Sequence, residues 1–167
     1  GIVISGGERT LQKDLFDFCR QVKSIGYPVK IDTNGSKPRA IEQLIEEHLV
    51  DYIAMDVKTD PSRYASLITK KIDTAAIYSS IRVIKESGIA HEFRTTCVKS
   101  IVNEADIHTI GQLIQGADLF VLQKVQFHQN PVLHPEFFQN LDWQLDAQEI
   151  ERFRTVAAEF VRSCIIR

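Results

Sequence analysis

Short β-branched runs alternate along this chain with longer stretches in which apolar residues recur every three or four positions. The first run, Ile2-Val3-Ile4, suits a buried pleated strand and passes directly into Ser5-Gly6-Gly7-Glu8. Leu11, Leu15, Phe18, Val22 and Ile25 then share one face of a helix expected over 11–25, which Gly26 would stop. Val29-Lys30-Ile31 reads as a strand ending in the turn-rich Asp32-Thr33-Asn34-Gly35. A helix over 38–48 opens on Pro38 and turns Ile41, Leu44 and Ile45 inward. A strand over 51–55 runs into Asp56-Val57-Lys58, and an irregular loop follows with a short helix near 64–68.

The second half repeats the pattern. Ile77, Ile81 and Ile84 mark a helix over 73–86, closed by Gly88, and the next strand spans 89–98. Asn103 is a natural N-cap for a helix that carries Ile107, Ile110 and Ile114 as far as Gly116. A strand over 119–123 leads into the loop 125–131 and a long connection to Leu145. A last helix over 147–161 packs Ile150, Phe153, Val156, Ala157 and Phe160, before a short strand at 164–167. Strands joined by helical crossovers imply a mainly parallel sheet in an α/β fold. With no repeat or linker, one domain over 1–167 is expected.

Composition changes this picture little. A formal net charge of −2 leaves no basic footprint, so nucleic acid is not an expected partner. No apolar run approaches the ~20 residues of a membrane span, and no membrane partner is expected either. Cys19, Cys97 and Cys164 lie far apart and form no metal-binding spacing; a reduced, cytoplasmic setting is the simplest expectation.

Chemistry concentrates where strands end. Gly6-Gly7-Glu8, Asp32-Thr33-Asn34, Asp56 with Lys58, Arg94-Thr95-Thr96 and the stretch from Gln123 to His128 all follow expected strands. In a parallel sheet they share one rim. Carboxylates there suit an amine, Lys58 and Arg94 an acid, and the hydroxyls and amides a ribose. Singly, each has an ordinary reading: a glycine turn, a first-turn carboxylate, a solvated lysine or histidine. Their repetition at successive strand ends argues for a site. No nucleophile elbow or complete phosphate loop accompanies them.

Taken together, these residues resemble the activating class of radical S-adenosylmethionine enzymes, above all the activators of anaerobic ribonucleotide reductase, then those of pyruvate formate-lyase. The resemblance rests on Ser5-Gly6-Gly7-Glu8 with Thr10-Leu11-Gln12, on Lys30 to Gly35, on Val50 to Lys58, on Glu92-Phe93-Arg94-Thr95-Thr96, and on Leu122-Gln123 before Phe127-His128. It implies a partial (β/α)6 barrel of the TIM-like type. It also implies that Gly6, Gly7 and Glu8 hold the amino group of S-adenosylmethionine. Asp32 and Thr33, with the backbone of Met55, would bind a monovalent cation, while Asn34, Asp56, Lys58, Arg94 and His128 would complete the cofactor site. The implied activity is one-electron cleavage of S-adenosylmethionine, which leaves a glycyl radical on a partner enzyme.

Two departures qualify the resemblance. Arg9 stands where the pattern has proline, so a looser turn or a guanidinium at the rim is expected. The Cys-x3-Cys-x2-Cys loop that binds the family's iron–sulfur (4Fe-4S) cluster is absent, so the cluster is expected only in a full-length parent. The resulting expectation is a remnant lacking the first β/α unit, catalytically inert alone, with weak affinity for S-adenosylmethionine. Two alternatives remain open: a cluster-free module that docks a partner or self-associates through an unpaired sheet edge, and a barrel enzyme with another small substrate.

Overall fold

The computed structural model describes residues 1–69, 73–125 and 143–167. Six strands form one sheet: β1 (Ile2–Ile4), β2 (Val29–Thr33), β3 (Tyr52–Asp56), β4 (Ala90–Cys97), β5 (Leu119–Lys124) and β6 (Cys164–Ile166). Between them run α1 (Leu15–Ser24), α2 (Pro38–Glu46), the one-turn α3 (Tyr64–Leu67), α4 (Thr74–Glu86), α5 (Glu104–Leu113) and α6 (Ala147–Ala158). Every neighbouring strand pair is parallel and the spatial order is the sequence order. Parallel crossovers are right-handed, so a sheet that always advances in one direction carries its helices on one face and curls as a partial β/α barrel.

Register separates the two faces. Ile31, Ile53, Met55, Phe93, Phe120 and Leu122 point toward the helices, where they pack with Ile41, Leu44, Ile77, Ile84, Ile107 and Ile150. Since side chains alternate along a strand, Lys30, Asp32, Tyr52, Ala54, Asp56, Glu92 and Arg94 occupy the opposite, inner face. Across β2 to β4 the helix face is mainly apolar, with Thr33, His91 and Thr95 as its buried polar members, and the inner face is charged.

The helices begin where their sequences allow. Asn103 and Asp106 form a reciprocal capping box at α5, and Asp146 and Glu149 do the same at α6. Asp73 caps α4 by accepting from the Ala75 N–H. Among the described residues no helix is long and apolar enough to cross a membrane.

Two expectations about the first β/α unit need correction. A 3₁₀ turn, Arg9–Leu11, precedes α1, and the chain between them resets the helical phase. The buried stripe is therefore Leu15, Cys19 and Val22, while Leu11, Phe18 and Ile25 are exposed. Nor is β1 a buried strand: it is an edge, and Val3 is 60% exposed on the inner face.

Candidate functional site

Four of the five strand ends that the sequence pattern singles out converge; the described residues of the stretch from Gln123 do not line the same cavity. Ser5, Gly6, Gly7, Glu8, Asp32, Thr33, Asn34, Asp56 and Arg94 surround a cavity of about 370 Å³ at the carboxyl rim of β1 to β4. Gly6 (φ +84°) and Gly7 (φ +40°) turn the chain there through backbone angles that side chains rarely adopt.

Glu8 ties two of these turns together. Its Oε1 accepts from the Thr10 N–H at 3.1 Å, the Thr10 hydroxyl, and the Thr33 hydroxyl at 3.0 Å. Its Oε2 accepts from the Asn34 N–H at 2.7 Å. A carboxylate offers about four lone-pair sites, so Oε2 keeps one acceptor direction for a ligand. The Thr33 hydroxyl in turn accepts from the Gly35 N–H at 3.1 Å. Gly35 has φ +76°, and a Cβ there would stand 2.1 Å from Met55 Cε. The Met55 side chain thus supports this turn from the core side, leaving only its backbone for the rim.

Arg94 is gripped by two aspartates. Its Nε donates to Asp56 Oδ1 at 2.7 Å, and Nη1 lies 3.3 Å from Asp32 Oδ2. Burial opposes the charge, but Asp56 and then Asp32 outweigh it and hold the Arg94 pKa above its ordinary value. Ser5 donates its hydroxyl to the same Asp32 Oδ2 at 2.8 Å. Asp32 Oδ1 is buried without a hydrogen-bond partner. An orphaned carboxylate oxygen beside a cavity can accept from a hydroxyl or ammonium, or coordinate a cation.

Lys58 joins the rim through Asp56 Oδ2, 2.7 Å from its Nζ. Its backbone N–H donates to the hydroxyl of buried Tyr64 at 2.7 Å. Burial pushes the Tyr64 pKa up to about 12. His128 and its loop lie outside the described residues.

Residue patterns alone missed several supports. Tyr64 gives no local signal, because its partner is a backbone amide six residues earlier. Of the two outcomes expected for Arg9, the structure shows the guanidinium at the rim, and it braces the turn: its Nε donates to the Ser5 carbonyl at 2.6 Å and Nη2 covers Gly6. Glu92 was legible in principle, since it sits two positions before Arg94 on the same strand face.

The three thiols are elsewhere. Cys19 is buried on α1, Cys97 ends β4 on the rim side but is buried on the helix-facing side of the sheet, and Cys164 begins β6, at the end of the strands remote from the rim. Among the described residues no group of three or more His, Cys, Asp or Glu side chains is arranged to hold a metal ion.

This fold, with a polar rim at its strand ends, defines a class: the chain belongs to the radical SAM superfamily, whose family model matches residues 1–114. Proteins of that superfamily generally use S-adenosylmethionine and a 4Fe-4S cluster. Within it, the chain is 36% identical over 171 residues to the Methanocaldococcus jannaschii protein named "Putative glycyl-radical enzyme activating enzyme MJ1227". That match covers 99% of this chain and 70% of the relative. A second protein of the same organism, MJ1632, carries the same description and is 28% identical over 123 residues, 71% of this chain and 46% of its own. Among solved structures, a domain of pyruvate-formate lyase-activating enzyme from Bacteroides vulgatus superposes with a TM-score of 0.75 at 13% identity, covering 100% of this chain and 98% of that one. TYW1 with a lysine-pyruvate adduct superposes with a TM-score of 0.68 at 17% identity, over 94% and 49%.

Proposed function

We propose that this chain is the S-adenosylmethionine-holding part of a glycyl-radical enzyme activase, whose partner is of the anaerobic ribonucleotide reductase type. Gly6, Gly7 and Glu8 would take the amino group. Asp32, Thr33 and the Met55 carbonyl would take a monovalent cation beside the ligand carboxylate. Asn34, Asp56, Lys58 and Arg94 would line its carboxylate and ribose side, joined by His128 on sequence grounds. The observation that carries the reading is Asp32 Oδ1, among the described residues the one buried side-chain atom lining the rim cavity that has no hydrogen-bond partner. When bound, S-adenosylmethionine supplies a sulfonium whose one-electron cleavage yields a carbon radical. The chain's own residues bind and orient it: Glu8 fixes the turn that meets the amine, and Asp32 and Asp56 hold Arg94 still.

The iron–sulfur cluster does not fit these 167 residues. None of the three thiols lines the rim cavity: Cys19 is buried on α1, Cys97 is buried at the carboxyl end of β4 on the helix side of the sheet, and Cys164 begins β6. We therefore read the chain as inert alone in radical generation, with the electron source supplied by residues outside this segment. Calorimetric titration with S-adenosylmethionine should give weak saturable binding, and no heat at millimolar ligand would overturn the reading. Reconstitution with iron and sulfide should leave no stable four-iron absorbance band; its appearance would mean that the thiols can converge.

A second reading has its own observation. Val3, Leu11, Phe18, Ile25 and Tyr27 are all exposed within the edge β/α unit, as an interaction module would require. A stable complex without ligand affinity would favour it.

A further inference from the structure

The inner face holds one buried acid that the proposed site does not use. Glu92 is 1% exposed, one residue pair deeper than Arg94 on β4. Its Oε1 lies 3.0 Å from Lys30 Nζ and 3.9 Å from Arg94 Nη1, and its Oε2 lies 3.2 Å from Arg167 Nη1. Lys30 also lies over the Tyr52 ring, 4.9 Å from its centroid. Between Asp32 and Glu92 in the same register row stands Ala54, too short to separate them. A carboxylate this buried is costly unless its partners are held in good geometry. Here the partners come from β2, β4 and the residue after β6, so one side chain draws together strands across most of the sheet.

We propose that Glu92 is a positioning residue: it fixes Arg94 from beneath, so that the guanidinium stays between Asp32 and Asp56 at the rim. Asp32 and Asp56 pull Arg94 outward and across, and Glu92 supplies the opposing inward pull. Without it, Nη1 has Asp32 as its one remaining carboxylate, and Lys30 and Arg167 are left as uncompensated cations below. The guanidinium would then move away from those cations, toward the cavity. The consequence for ligand binding rests on the proposed S-adenosylmethionine site; the positioning itself does not.

The test therefore has one arm without ligand. In the ligand-free protein, the Arg94 Nε–H resonance should be sharp and protected from solvent exchange. Glu92→Gln, which preserves shape, should shift it and speed its exchange several-fold. Lys30→Met should act oppositely, because Oε1 then has Arg94 as its sole close cation; it also keeps the test decisive if Glu92→Gln does not fold. An Arg94 resonance unchanged in the folded variants would overturn the proposal, even with a lowered melting temperature, because that would leave Glu92 a purely structural role. In the second arm, Glu92→Gln should raise the dissociation constant for S-adenosylmethionine by about three- to tenfold, as expected for neighbours in one ion-pair network. Unchanged affinity despite a displaced Arg94 would overturn the link to binding. A wild-type chain with no affinity would sink the proposed function alone, since the resonance still decides the positioning.

Discussion

Replacing Glu8 by alanine removes the acceptor that four donors from two separate turns share. Those donors are the Thr10 N–H and hydroxyl, the Thr33 hydroxyl and the Asn34 N–H, and Thr10 and Thr33 are buried. Leaving them unpaired should cost about 2 kcal/mol, or about 4–8 °C in melting temperature for a chain of this size. It should also abolish S-adenosylmethionine binding; a variant as stable as the wild type would show that these bonds contribute nothing net. A second residue-level expectation concerns pH. Burial raises the Cys97 thiol from its ordinary 9.0 to about 12, with a smaller push from Cys164, and raises Tyr64 from 10.0 to about 12. Both groups keep their protons longer when folded, so above about pH 9 the native state binds more protons than the unfolded chain. Their contribution is intact below about pH 9 and lost progressively between about 9 and 12. Urea midpoints should therefore fall between about pH 7 and about pH 10, and a flat profile would contradict this assignment. At this scale the sequence revealed the rim's members but not their bonds. Asp32, Asp56 and Arg94 could be picked out as strand-end charges, yet their mutual grip depends on strand register, which no single residue carries.

At the scale of elements, Gly111 sets propensity against packing. It lies inside α5, where alanine normally gains about 1 kcal/mol over glycine. A Cβ there would stand 2.3 Å from Cδ2 of the Phe160 ring and 2.8 Å from its Cγ, just past the end of α6. An aromatic ring tied to the backbone cannot yield by a small rotation, and overpacking of this kind costs about 1–3 kcal/mol. Gly111→Ala should thus destabilise the protein and loosen the α5–α6 contact, measurable as a lower thermal midpoint; a rise would mean that Phe160 repacks freely. The same comparison shows why elements were easier to read than their faces. Capping residues, glycine stops and β-branched runs act locally, so Asn103, Gly26 and the strand over 119–123 pointed to the observed elements. Which stripe of α1 is buried depends on the phase reset after Leu11 and on where β2 lies. Periodicity alone therefore chose Phe18 and Ile25, where the fold chose Cys19.

Across the whole molecule, charge and apolar surface are divided unevenly. The inner face of β2 to β4 is charged, whereas five of the seven large apolar side chains exposed among the described residues, Val3, Leu11, Phe18, Ile25 and Tyr27, belong to the first β/α unit; Ile68 and Tyr78 lie farther along the chain. That unit ends the sheet: β1 has three residues and pairs only with β2 among the described strands. An edge strand with free backbone groups beside apolar side chains is a template for pairing with another chain. Light scattering should therefore show association of this chain that grows with concentration. Val3→Lys should suppress it, because a charge pointing from an edge strand opposes a second strand, whereas the fold should survive at a position already 60% exposed. S-adenosylmethionine should weaken association only if ligand and partner compete for the glycine turn after β1, since β1 delivers Gly6 and Gly7 to the rim. Association that ignores Val3→Lys would place the contact on the helix flank of Phe18 and Ile25 instead. A chain that stays monomeric at every concentration would show that the short edge and its polar turn already prevent pairing.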